Sequence, residues 1–310
     1  MKTALPILVL ILVWGTTWAA IRVGLEGVPP FTGVAVRFAL AGAVLLALSP
    51  LFDVRLGKSR IERRLWLVNA FGSFVIAYGI VYWGEQYVPS GLTAVLFATF
   101  PLFVAILAHF FLPGERLTVR AGAGVLVGFA GVAVIFSEDL ARLSDPWAER
   151  TLGGVGPGIF VAASILLIAP AVAAVANVAI KRWGKGIHPL SLTGPPMLLA
   201  SVCLGAVALV VERDLPVEWT PPAIASLLYL ALFGSALNFM IYFRLLDRLP
   251  ATRLSLFNYA VPVVAVITGA LFLQEPVTWR LAAGAGLVIA GCAVALDLGR
   301  VWGQGRRTAS

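Results

Sequence analysis

Ten apolar runs, each about twenty residues long and almost free of charge, follow one another through this chain with short polar breaks between them. A helix rises about 1.5 Å per residue, so each run matches the roughly 30 Å of hydrocarbon in a bilayer. The runs fall near 4–21, 31–51, 65–84, 90–112, 119–136, 157–180, 189–211, 222–243, 251–273 and 281–298. Composition agrees: 60% of the residues are hydrophobic and only 12% charged, with a mean hydropathy of +0.95. Soluble domains carry about 25% charged residues, and no soluble core has room for this much apolar sequence. The expected fold is an all-α integral membrane protein of ten transmembrane helices.

The net charge of +8 would point to nucleic acid in a soluble protein. In a membrane protein it reflects the Lys and Arg kept on cytoplasmic loops, so no nucleic-acid partner is expected. Both cysteines, Cys203 and Cys292, fall inside apolar runs, which argues against a disulfide framework or a metal site. No small-residue cleavage site follows the first run, and Trp14-Gly15-Thr16-Thr17-Trp18 is unlike a processed region, so that run is expected to remain as a helix.

Orientation follows from counting Lys and Arg. With the N-terminus inside and ten crossings, 17 cations fall on the inner side, five of them between Arg55 and Arg64, against 5 outside (Arg22, Arg142, Arg150, Arg213 and Arg280). The imbalance places both termini in the cytoplasm.

One stretch also occurs twice. Pro89 to Pro101 is repeated as Pro250 to Pro262; Glu115, Thr118, Arg120 and Gly131 are repeated as Glu275, Thr278, Arg280 and Gly291. Earlier, Ala20-Ile21-Arg22 matches Ala179-Ile180-Lys181, and Pro30 matches Pro189. Self-similarity at a fixed spacing marks a duplicated unit. The polar linker from Glu138 to Gly158 divides the halves, giving repeats at 1–145 and 146–310, the second ending in a short basic tail. Each half holds five crossings, an odd number, so the second enters the membrane inverted. Inverted repeats are a transporter architecture, with the ligand site near the midplane between them.

The residues that carry the repeat also carry a family likeness. Trp14-Gly15-Thr16-Thr17-Trp18, Arg37-Phe38, Pro101 and Glu115-Arg116-Leu117-Thr118 with the following glycine-rich helix resemble the first EamA unit of the drug/metabolite transporter superfamily. Leu249-Pro250-Ala251-Thr252, Pro262 and Glu275-Pro276-Val277-Thr278 resemble the second. The sixth run lacks the tryptophan-glycine start of the first. The resemblance implies a 5+5 inverted arrangement and export of small metabolites or amino acids across a bacterial inner membrane. Within the superfamily, size and aromatic content are most similar to aromatic amino acid exporters of the YddG type.

Candidate substrate-binding residues come from two runs, the third and fourth, and their repeats. Phe71, Phe74, Tyr78 and Tyr82 make an aromatic stripe at helical spacing, and Phe97 lies four residues before Pro101. The repeat maps Tyr78, Tyr82 and Phe97 onto Phe239, Phe243 and Asn258, which predicts two related layers on either side of the midplane. Interhelical packing and interfacial anchoring are the competing roles. Asn238, Tyr242 and Asn258 add polar groups; amides in hydrocarbon should face the bundle interior, to bind a ligand or to bond another helix. Asn177, near a helix end, reads as a cap or interface residue. Pro101 and Pro262 each remove a backbone hydrogen bond in mid-span, as a hinge or polar contact beside the cavity.

Arg37 reads as a snorkelling or structurally paired cation, with attraction of an anionic substrate group as the alternative, and His109 as structural. Glu115 and Glu275 read as structural, capping the following helix or binding basic loops. Gly122, Gly124, Gly128 and Gly131, with Gly284, Gly286 and Gly291, form small-residue faces for close contact within the chain or between copies. No Asp or Glu lies deep in any run, which disfavours a proton-coupled antiporter of cationic drugs. No HExxH, paired aspartates or Gly-Ser nucleophile motif is present, so an intramembrane enzyme, a cofactor and catalytic residues are not expected. The expected function is export of amino acids, aromatic or bulky apolar ones favoured, with another small metabolite or a neutral drug as the alternative. The expected partners are a small-molecule substrate and the bilayer; the oligomeric state stays open.

Overall fold

A computed structural model describes residues 4–54, 56–115, 119–143, 157–255, 258 and 260–295. Arg116, Leu117 and Thr118, most of the linker between the halves, and the last residues of the tenth run lie outside the described residues. Among those described, every regular element is helical. Seven helices are long and apolar enough to cross a membrane, and three shorter apolar stretches complete the set.

The ten spans are α1 (Ala4–Leu25), α2 (Pro30–Leu48), α3 (Arg60–Gly84), α4 (Ser90–Phe97 and Phe100–Phe111), α5 (Val119–Leu143), α6 (Pro157–Leu166 and Ile168–Trp183), α7 (Pro189–Val211), α8 (Pro221–Arg248), α9 (Ala251–Leu254 and Ala260–Phe272) and α10 (Trp279–Ala295). The third apolar run starts at residue 65, yet α3 begins at Arg60. Its polar first turn is held by Ser59, whose hydroxyl accepts from the Glu62 amide at 3.0 Å. Hydropathy marks hydrocarbon depth, not the helical turns that project beyond it.

Packing follows a pseudo-two-fold axis. α1 packs on α8 and α9, as α6 packs on α3 and α4, while α2 meets α7 and α5 meets α10 across the axis itself. The outer surface is apolar, with Leu126 73% and Leu209 77% exposed, while Arg37, Asn69 and Asn238 are wholly buried. That arrangement suits a molecule whose solvent is lipid. The glycine faces of α5 and α10 pack on each other, so they serve a contact within the chain.

The repeats also share two irregularities that periodicity does not reveal. α3 and α8 each contain a π-helical stretch, Ala70–Ala77 and Leu230–Leu237. α4 breaks at Ala98 and Thr99, and in α9 Ser255 and Asn258 lie outside the α-helices Ala251–Leu254 and Ala260–Phe272. Each break lies just ahead of a proline, Pro101 or Pro262, whose missing N–H removes one helical bond there.

Carboxylates tie the repeats together at helix starts. Glu275 accepts from the amides of Ser90 and Gly91 at 2.7 and 3.0 Å, at the start of α4. Glu115 accepts from the amides of Ala251 and Thr252 at 3.2 and 3.1 Å, at the start of α9. Glu212, at the end of α7, accepts from Phe31 and Thr32 at the start of α2. The expectation that Glu115 and Glu275 serve the helix that follows them needs correction: each caps a helix of the other repeat. At α10 the local cap is Thr278, whose Oγ1 accepts from the Leu281 amide at 3.1 Å.

Candidate functional site

The first π-helical stretch, the segment that follows the second, and the broken helices border one cavity of about 90 Å³. Its lining pairs across the pseudo-two-fold axis. Trp14, Trp18, Tyr78, Val81, Phe97 and Phe100 come from the first half; their counterparts Ala173, Asn177, Phe239, Tyr242, Asn258 and Val261 come from the second. Of the two expected layers, Tyr78 and Phe97 line this cavity with Phe239, Phe243 and Asn258, and Tyr82 does not. Thr17, Ile21, Ser73 and Phe243 complete its wall.

The two halves contribute different chemistry. From the first comes an aromatic wall, with Trp18 and Phe97 rings 5.5 Å apart and Phe97 stacked on Phe100 at 6.1 Å. From the second come Phe239 and Phe243 together with two amides and a phenol: the Asn177 side-chain N–H donates to the Tyr242 hydroxyl, and Asn258 lies between the two α-helical parts of α9. Trp14 bridges the walls, its ring 5.2 Å from Phe239, while its indole N–H donates to the Gly234 carbonyl in the π-helical stretch at 3.0 Å. Tyr78 and Phe239, equivalent by repeat, lie 6.2 Å apart. Among the described residues no formally charged side chain lines the cavity. Two polar atoms of lining residues are themselves buried and have no hydrogen-bond partner among the described residues, the Trp18 indole nitrogen and the Asn177 amide oxygen. They occupy equivalent positions in the repeats, one a donor and the other an acceptor.

Arg37 sits behind this wall. It is fully buried, not snorkelling: its Nε donates to Ser235 Oγ at 2.8 Å, and its guanidinium lies 4.9 Å from the centre of the Tyr78 ring. A second guanidinium nitrogen reaches the Tyr82 hydroxyl at 3.4 Å. The cation thus braces the back of a cavity residue through cation–π contact.

Comparison with known proteins agrees with this architecture. The pattern of the EamA-like transporter family matches residues 1–137 and again residues 160–296. The chain belongs to that family. The uncharacterized transporter YvbV of Bacillus subtilis is 28% identical over 291 residues, 93% of this chain and 89% of that protein. The uncharacterized inner membrane transporter YedA of Escherichia coli is 29% identical, over 84% of this chain and 79% of its own length. Protein PagO of Salmonella typhimurium is 27% identical over 86% of this chain and 84% of its own. A crystal structure with a TM-score of 0.71 covers 97% of this chain and 99% of its own at 20% identity, which establishes the shared fold.

Within this EamA-like fold, six of the residues singled out in the sequence meet at the cavity: Tyr78, Phe97, Phe239, Tyr242, Phe243 and Asn258. Tyr82 stands one turn along, against Arg37, and Pro101 and Pro262 are buried behind the helix breaks. Asn238, directly after the π-helical stretch, is fully buried, and neither polar atom of its amide has a partner among the described residues. Sequence reasoning set aside Trp14, Trp18 and Asn177. The repeat carried the missing signal, because Trp18 and Asn177 are equivalent positions with unlike, chemistry-bearing side chains.

Phe243 separates the cavity from a second space of about 210 Å³ lined by Lys181, Lys185, Leu246 and Asp247, at the loop face rich in Lys and Arg. Replacing it should join the two. In a background lacking Cys203 and Cys292, a cysteine placed at Ala173 is expected to resist a membrane-impermeant thiol reagent with Phe243 present and to react in Phe243→Ala. Equal protection in both would show that another residue makes the seal.

Proposed function

We propose that this EamA-like transporter exports amino acids across a bacterial inner membrane, favouring those with aromatic or bulky apolar side chains. The observation that carries this reading is the cavity's mixed lining. Its aromatic rings match an apolar side chain, and the polar side chains of Asn177, Tyr242 and Asn258 match a carboxylate and an ammonium. The lack of a charged lining residue fits a ligand of zero net charge, because a net ion buried there needs a counter-charge. Trp18, Tyr78, Phe97, Asn177, Tyr242 and Asn258 are the proposed contacts. Tyr82, Pro101, Asn238 and Pro262 act through them.

On this reading the units 1–145 and 146–310 rock against each other by alternating access, the helix breaks before Pro101 and Pro262 serving as hinges. The loop face carrying Arg60, Lys185 and Arg248 is the cytoplasmic one, by the charge imbalance.

Proteoliposomes loaded with labelled amino acids test this directly. Phenylalanine or tryptophan efflux is the expected result, and transport of none of the twenty sinks the substrate assignment in favour of another metabolite or a neutral drug. Asn177→Ala is expected to lower transport about tenfold or more, the effect of losing one polar ligand contact, with unchanged folded yield. Tyr78→Ala and Asn258→Ala are expected to act in the same direction. Full activity in all three would remove the cavity from the transport path.

A further inference from the structure

Glu85 ends α3 at the face opposite the basic loops, where its side chain is fully buried. Neither carboxyl oxygen has a hydrogen-bond partner among the described residues. The ionisable groups facing it are Arg22 on α1, Arg37 on α2, Tyr82 on α3 itself and Glu275 from the α9–α10 loop. Arg22 approaches closely, but its guanidinium donates to the main-chain carbonyl of Glu85 and not to the carboxyl. Glu275 is already engaged at the start of α4. Leu166 of α6 also lies against Gly84 at this helix end.

The repeat shows that the carboxyl is not needed for the helix end. Lys181, the counterpart of Arg22, donates to the main-chain carbonyl of Leu246 at 2.7 Å, just as Arg22 donates to that of Glu85. Leu246 is the counterpart of Glu85. The same main-chain contact therefore forms around a leucine in one half and a glutamate in the other. An ionised carboxylate sealed from water without partners costs several kcal/mol, whereas the neutral acid costs far less. Parting the repeats at this face would admit water to Glu85 and favour the ion.

We propose that Glu85 is a proton-binding site through which the pH of the solution at that face governs its opening, the acid form belonging to the closed gate and the carboxylate to the open one. One proton is taken from that solution on closing and returned to it on opening. A site that binds its proton more tightly in one conformation shifts the equilibrium by that difference, so acid closes the gate and alkali opens it. The inference rests on the alternating-access reading but not on the identity of the substrate.

The test is hydrogen–deuterium exchange of residues 81–93 and 269–276 in the purified full chain at pH 5.5 and 8.0, corrected for the intrinsic rate. In the unmodified protein, protection is expected to fall about tenfold at the higher pH, within the usual range of site-to-site coupling. Glu85→Leu, which installs the residue of the other repeat, is expected to stay protected at both values, and Glu85→Gln to behave alike. A pH response that persists in either variant, or that is missing from the unmodified protein, overturns the proposal. In proteoliposomes the ratio of phenylalanine fluxes at the two pH values should collapse to about one in Glu85→Leu. Failure to move any amino acid would refute the substrate reading alone, because the exchange measurement uses no substrate.

Discussion

Gly131→Ala and Gly291→Ala are each expected to lower the apparent melting temperature in detergent by several degrees, and the pair together to abolish a monodisperse preparation. The reason lies in the seam between α5 and α10. A methyl group at Gly131 would sit 2.6 Å from the Gly284 carbonyl oxygen and 2.7 Å from the Val288 nitrogen. One at Gly291 would sit 2.5 Å from the Gly124 carbonyl oxygen and 2.7 Å from the Gly128 Cα. These are main-chain atoms, so no rotamer change relieves the overlap; the helices must separate. Overpacking of this kind costs about 1–3 kcal/mol per site. Separation also forfeits the close contact that holds helices together in lipid, where little hydrophobic drive exists between them. Gly286 supplies the control: a methyl there meets nothing within 4 Å, so Gly286→Ala should leave the melting temperature unchanged or slightly raised. Equal loss at all three positions, followed by fluorescence-detected size-exclusion after heating, would show that helix propensity rather than the seam is responsible.

Glu275→Ala and Glu115→Ala are expected to destabilise the protein by about 2–3 kcal/mol each, the loss of charge-assisted hydrogen bonds that leaves helix-start amides unsatisfied. Besides the two amides, Glu275 accepts from the Ser90 hydroxyl at 3.0 Å, and Glu115 from the Thr252 hydroxyl at 2.8 Å. Each carboxylate also lies at the positive end of a helix. The chain reaches these positions by the same device in both repeats: the residue before each glutamate, Gly114 or Gln274, has φ of +85° or +53°. That left-handed step turns the chain sharply away from α4 or α9 towards the partner repeat. Glycine takes it freely, whereas Gln274 holds it against a steric penalty, which indicates how firmly the surrounding contacts fix the turn. Because the two caps join opposite ends of the repeats, the double substitution should add the single effects closely. Glu→Gln, which keeps one carbonyl oxygen, should lose about half as much. Thermal unfolding of the purified protein followed by tryptophan fluorescence separates these outcomes.

The cavity residues show how far sequence periodicity carries. Tyr78 was visible because it falls on an aromatic stripe, and Phe97 and Asn258 because they hold one position in two repeats. Trp14 and Trp18 belong to the same WGTTW stretch that carries the family likeness, yet nothing in the order of residues says which side of α1 faces the axis. Asn177 lies near the end of an apolar run and reads as a cap until α6 is seen to carry it against Tyr242. Glu85 reads as a carboxylate at a span end for the same reason: at the edge of a run such a group is ordinarily in water, and only the helices around it exclude water here.

The sequence by itself determined that this chain lies in a membrane, that it crosses it ten times, and that its halves are related and inverted. Those properties depend on hydropathy, charge and internal repetition, which are local or additive along the chain. Tertiary structure alone decided that Glu115 and Glu275 serve the opposite repeat, that Arg37 is buried against Tyr78, and that Asn177 and Asn258 share one cavity with Trp18 and Phe97. Those depend on which faces meet. Two helices of equal hydropathy expose the same composition whichever way they are turned, and only packing against neighbouring helices selects one rotation of each.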